Sequence, residues 1–214
     1  MSVPFPEPTA PAGSRAEVFL RYLDFFRSRL ADKLESLPAA ELTRSRLPSG
    51  WTPLELAKHL RHVELRWLEW GFEGRAVDNP WADHQDGRWH VEPGETRETL
   101  LAGLDEQAAR TRAIVESHDL DETGKPGDRW GDADPATLER VLFHLVQEYA
   151  RHVGHLDIVT ELAADQTGEL FSAERAVVRA PRPADRYPAF SATQWFTHSP
   201  RPSIQVRSTF PGCR

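Results

Sequence analysis

Leu138, Val141, Leu145, Glu148, His152, His155, Val159 and Leu162 follow one another at steps of three and four. That spacing places them on one face of a long amphipathic helix, and such a face must be covered by other helices. Helical packing is therefore the first constraint on this chain. The second lies in the middle of the face, where Glu148, His152 and His155 stand in place of hydrophobes. A carboxylate buried beside imidazoles without a partner costs several kcal/mol or is driven neutral. A cation held between them removes that cost, and a buried ion pair with a neighbouring basic residue is the competing reading.

Three further segments carry the same period. Ser14 and Glu17 form a capping-box pattern ahead of Phe19, Leu23, Phe26, Leu30 and Leu34, which predicts a helix to about Leu37. Thr52, Pro53 and Glu55 open a second helix as cap, first position and box partner, with Leu56, Leu60, Val63, Trp67 and Trp70 on its apolar side and Gly71 or Gly74 at its end. A third runs from about Glu95 to His118, with Leu100, Leu104, Ala108 and Val115 inward. Asp134 and Pro135 read as the cap and opening of the last helix, which continues to about Ala164. No strand-type alternation of useful length precedes residue 170. The expectation is an all-α chain, a four-helix bundle with a long crossover connection at about residues 73–94.

The two ends differ from this middle. Residues 1–13 are proline-rich and are expected to form an extended, disordered arm. Residues 170–214 are rich in proline and arginine and read as a poorly ordered tail, leaving the bundle at 14–169. With 26 basic against 33 acidic residues the formal charge is -7, which argues against a nucleic-acid partner. Cys213 is the single cysteine, so no internal disulfide forms, and neither a secretory signal nor a run of ~18 apolar residues is present. A cytoplasmic, reducing location is expected.

Glu148 and His152, four residues apart, project from one helical face. His59 is the best third ligand, because it lies beside Leu56, Leu60 and Val63 on the inner side of the second helix. Two ligands from one helix and one from another leave an open position, as in catalytic zinc sites, and the same donors suit nickel, iron or manganese. His155, one turn beyond His152, is a candidate ligand, proton carrier or substrate contact. His62, His118 and His144 read as surface or satisfied core residues, although His62 also lies near enough to support His59. Asp157 and Glu161 are near in sequence but project to other faces. Trp81 and Trp89 lie in the long connection, where they either line a pocket or simply pack. No HExxH, phosphate-binding glycine loop or nucleophile elbow occurs, and Glu55 is explained by its cap.

Two segments, WTPLELAKHLRHVELRW (51–67) and LFHLVQEYARHVGHLDIVTEL (142–162), resemble the second-helix and fourth-helix motifs of the DinB/YfiT-like superfamily. Within it they are similar to the branch of mycothiol-dependent enzymes, both maleylpyruvate isomerase-like and mycothiol S-transferase-like. The resemblance covers about residues 14–169. It implies a four-helix bundle and metal ligands at His59, Glu148 and His152, with His155 at a position often held by glutamine. Many relatives have histidine where this chain has Glu148; the His–Glu–His set is the one associated with the isomerase. It further implies a divalent metal, most simply zinc, and mycothiol as cosubstrate. The expected function is a thiol transferase or isomerase that uses a small-molecule thiol and an electrophilic substrate, with a homodimer as a further option. A metal-binding stress-response bundle without turnover and a metal-dependent hydrolase are the alternatives.

Overall fold

The computed structural model describes residues 3–164. Helix α1 (Arg15–Ser36) begins where Ser14 Oγ accepts the Glu17 N–H at 3.1 Å. The return bond goes elsewhere than the box pattern implies: Glu17 accepts from the Gly13 N–H at 2.6 Å and pairs with Arg21. A short α2 (Ala39–Leu42) precedes α3 (Pro53–Glu64), whose Thr52–Glu55 capping box is complete, with Thr52 N–H donating to Glu55 at 2.7 Å. α3 runs on into a π-helical segment, Leu65–Phe72. Then come β1 (His84–Gln85), β2 (Arg88–Trp89), α4 (Arg97–Ser117) and α5 (Leu138–Ala164). α1 packs on α5 and α4, and α3 packs on α4 and α5, so these four helices close the expected all-α bundle.

The interior is apolar, with Leu23, Leu30, Leu34, Leu56, Leu60, Leu138, Leu142 and Leu145 fully buried. One polar knot crosses it. Glu64 of α3, 0% exposed, takes a forked bond from Arg27 of α1 at 2.9 and 2.6 Å, and accepts from Thr111 of α4 and Tyr149 of α5. Each bundle helix thus supplies one residue. A buried carboxylate demands full satisfaction, so the knot fixes how the four helices are rotated against each other. In particular, Tyr149 pointing inward leaves the adjacent Glu148 at the border of the core, on the side facing α3.

Four sequence expectations change. Residues 3–13 are not loose: Phe5 meets Tyr22 and Phe25 edge-on at 6.1 and 5.2 Å, and Val3 N–H reaches Ser28 Oγ at 3.4 Å. Phe5 is only partly buried, so it gains less than the roughly 1.5–3 kcal/mol of a fully buried ring, and the prolines leave little backbone freedom to lose. The long connection holds a hairpin, β1–β2, turned by Asp86 (φ 53°) and Gly87 (φ 75°). Asp-Gly with both φ positive is the favoured two-residue hairpin turn, and it was the signal to read there. α5 starts at Leu138 rather than Pro135. The Leu138 and Glu139 N–H groups bond Glu122 and Leu120 carbonyls at 3.0 and 2.9 Å and the Arg140 N–H reaches Thr137 Oγ1 at 3.5 Å, so the preceding loop and Thr137, not Asp134, satisfy the helix start. Leu162 is 54% exposed, and the buried face of α5 is wider than the expected stripe, with Leu142, Tyr149, Val153 and Leu156 buried beside Leu138, Val141, Leu145 and Val159. The tail expected at 170–214 lies outside the described residues.

Candidate metal centre

His59 comes from the middle of α3, where the capping box and Pro53 set the helix start and Leu56, Leu60 and Val63 bury its face. Glu148 and His152 come from successive turns of α5. One ligand atom from each of the three lies within 4.8 Å of the others. His59 and His152 are 9% and 7% exposed, whereas Glu148 is only partly buried. The expected triad is therefore assembled by the fold. His155 sits beside it, its ring 5.6 Å from that of His152 and 6.5 Å from Trp51.

A residue that the sequence reading passed over completes this arrangement. Asp83, fully buried just ahead of β1, faces His59 Nδ1 at 3.0 Å. Arg66, from the π-helical segment, grips the same carboxylate at 2.6 and 3.2 Å, bonds the Pro80 carbonyl, and stacks over Trp81 at 4.3 Å. Burial alone would raise the Asp83 pKa, but the bonds from His59 and Arg66 outweigh it and hold the carboxyl well below its usual range. An ionised Asp83 places the imidazole proton on Nδ1 and leaves the Nε2 lone pair for a ligand, the arrangement that orients metal-binding histidines. Burial likewise lowers the His59 pKa, which keeps the ring neutral and able to ligate.

The donors fit a divalent cation. His152 has a buried Nδ1 without a hydrogen-bond partner, and its Nε2 is 3.2 Å from Glu148. The other Glu148 oxygen has His144 no nearer than 3.7 Å. That bond with His152 lowers the Glu148 pKa, against a smaller opposing effect of burial, so the group is an anion facing two imidazoles. Two nitrogens and one carboxylate with unmet lone pairs are a zinc-type donor set. His59, Asp83 and His84 also approach within 4.8 Å of one another, but there the carboxylate is already committed to Arg66. The first group is the one with donors to spare.

Trp89 of β2 covers the site. Its ring stacks on His59 at 4.2 Å and meets His152 edge-on at 5.2 Å. Trp89 and Trp51, 6.1 Å apart, wall a cleft of about 240 Å³ that Ser49, Glu55, His84 and Arg88 also line. Trp81 takes no part in that lining and is spent on Arg66. The other candidate side chains fall largely as expected, and only His144 departs, by approaching Glu148 at 3.7 Å. His62 is buried, with Nδ1 on the Lys58 carbonyl at 2.9 Å, and supports neither ligand nor solvent contact. His144 reaches the site through Glu148, whereas His118 pairs with Glu122 at 2.9 Å far along the chain from the triad. Asp157 pairs with Lys33 of α1.

No curated protein matches the sequence. The sequence profile of the mycothiol S-transferases matches residues 18–165, a span that contains the triad, Asp83 and His155. With helical bundle, donor set and profile in agreement over most of its length, the chain belongs to the mycothiol S-transferase family.

Proposed function

We propose that this chain is a cytoplasmic, zinc-dependent S-transferase that delivers the mycothiol sulfur to an electrophilic carbon. The observation that carries the reading is the His59–Glu148–His152 donor set packed against Trp89, which also walls an aromatic cleft, in a chain of this family. Those three residues would hold the metal, whose Lewis acidity favours a thiolate at neutral pH.

The remaining chemistry belongs to the chain. Asp83 and Arg66 hold His59 in one tautomer. Trp51 and Trp89 offer flat faces to a sugar ring, with Ser49, Glu55 and Arg88 placed to bond its hydroxyls. His155, between Trp51 and His152, takes the thiol proton. In a conjugate addition the sulfur pair forms the new S–C bond, the alkene pair moves to the adjacent carbon, and that carbon receives the proton. The same addition reversed after bond rotation would be an isomerisation; the family match favours transfer.

The test is bound metal measured by elemental mass spectrometry on protein purified without a chelating tag, beside Glu148→Ala/His152→Ala. About one equivalent of zinc, lost in the double variant, supports the centre, and no uptake even after zinc incubation sinks it. Cobalt-substituted protein then receives mycothiol. An intense thiolate charge-transfer band supports thiol activation. A metal-loaded protein with no such band and no conjugate formed favours the binding-bundle or hydrolase reading instead.

A further inference from the structure

The site has a second end. His144, Glu148 and His152 occupy successive turns of α5, so the row that leads from His152 toward the Trp51–Trp89 cleft leads in the other direction to His144. There the loop before α5 folds back on the π-helical segment. Lys125 N–H bonds the Phe72 carbonyl at 2.8 Å, and Trp130 Nε1–H bonds the Gly71 carbonyl at 3.0 Å. A Cβ on Gly71 would stand 3.0 Å from the Arg66 carbonyl oxygen and 3.3 Å from Arg129 Cγ, so glycine eases this close approach. The result is a fixed guanidinium: Arg129 lies over the Trp67 ring at 3.9 Å, and Trp67 in turn meets His144 at 4.6 Å.

Arg129 differs from the other arginines that serve the interior. Arg27 and Arg66 each grip a carboxylate with a forked bond. Arg129 has no ion pair among the described residues, and its Nε is buried without a hydrogen-bond partner. Stacking on Trp67 satisfies the face of the guanidinium but none of its N–H groups, which project from the ring edge. The nearest acidic group along the row, Glu148, is turned to His152. His144, 37% exposed, leaves this end open to solvent. In a chain of net charge -7, a rigid cation with free in-plane donors is a receptor for a planar anion, and the fork matches a carboxylate.

We propose that Arg129, carried on Trp67 beside His144, binds a carboxylate of the electrophile, so that preferred electrophiles are anionic and sit at the opposite end of the site from the thiol. This assignment rests on the S-transferase reading. A transferase has to hold two substrates at once with their reacting atoms between them, and the two ends supply separate seats. The reacting step is unchanged: sulfur bonds the electrophilic alkene carbon, its π pair moves to the neighbouring carbon, and the thiol proton ends there.

The test compares two probes with one reactive ring, N-(2-carboxyethyl)maleimide and N-(2-hydroxyethyl)maleimide, on zinc-loaded full-length protein with mycothiol, each corrected for the uncatalysed rate. The expected kcat/KM ratio of acid to alcohol is at least about tenfold, falling to near one in Arg129→Met and partly restored in Arg129→Lys. The ratio is internal to each variant, so a general loss of folding or metal cannot mimic the result. Calorimetric binding of the unreactive succinimide analogues gives a readout without turnover: the acid should bind about tenfold tighter, and Arg129→Met should erase the difference. Turnover of both maleimides at equal efficiency by the wild type overturns the subsite. So does an acid preference that survives Arg129→Met, or stronger competition by inorganic phosphate than by acetate. Absence of any catalysed turnover fails the transferase reading, and the succinimide arm then decides the subsite independently.

Discussion

Replacing Glu64 by leucine should cost about 3–5 kcal/mol, because it strands Arg27 as a buried cation. The structure supports the upper part of that range. Arg27 is 7% exposed and loses both bonds of its fork, keeping only Asp24 at 2.9 Å. Thr111 and Tyr149, both 0% exposed, lose their acceptor at the same time. At roughly 2–4 °C per kcal/mol for a domain of this size, the midpoint should fall by about 10–15 °C. The assay is urea unfolding followed by circular dichroism, with the slope checked for constancy. Because replacing both members of a buried pair by apolar groups can be neutral or stabilising, Arg27→Met/Glu64→Leu should recover most of the loss. The reasoning is refuted if Glu64→Leu lies within about 1 kcal/mol of wild type, or if the double variant is no more stable than the single one.

Asp83→Ala should weaken metal binding about 10–100-fold, since His59 loses the group that orients it; competition with a chromophoric chelator measures this, and an unchanged affinity would remove Asp83 from the site. Gly87→Ala should cost about 1 kcal/mol, read as a small drop in thermal midpoint; nothing lies within 4 Å of the added Cβ, so the cost is purely that of φ 75°, and a stabilised variant would contradict the turn assignment. Burial lowers the His62 pKa against a smaller raising effect of the Lys58 carbonyl. The unfolded chain therefore takes up the proton first as pH falls below about 6.5, and stability is lost across the window down to the lowered folded value. Wild type measured against His62→Gln should lose its relative stability over that window; a flat difference would show that burial does not control the group.

Where a helix starts and which face it buries follow from near-neighbour chemistry, and the sequence carried that information well. Thr52, Pro53 and Glu55 dictate the start of α3 whatever surrounds them, and Ser14 does the same for α1. The α5 start failed for a matching reason. Asp134–Pro135 has the composition of a cap, but the Leu120–Glu122 carbonyls, distant in the fold's assembly rather than in local chemistry, capture the first N–H groups. The Asp-Gly pair at 86–87 carries the turn signal, but strands of two residues show no alternation to flank it.

The candidate ligands divide in the same way. Glu148 and His152 announce themselves by breaking an apolar period within one helix, and His59 by its place on the inner side of another. Asp83, Glu64 and Arg129 announce nothing, since an acidic residue in a polar loop, a glutamate beside basic residues and an arginine in a glycine-rich segment all have ordinary solvent-exposed readings. Their roles come from partners 17 to 85 residues away, such as Arg66 for Asp83 and Tyr149 for Glu64. Periodicity and capping, which act over one or two helical turns, were enough to place the helices and all three candidate donors. Which buried charges meet, and so which tautomer His59 adopts and where an unpaired guanidinium is held, depends on burial and long-range approach, which only the packed bundle decides.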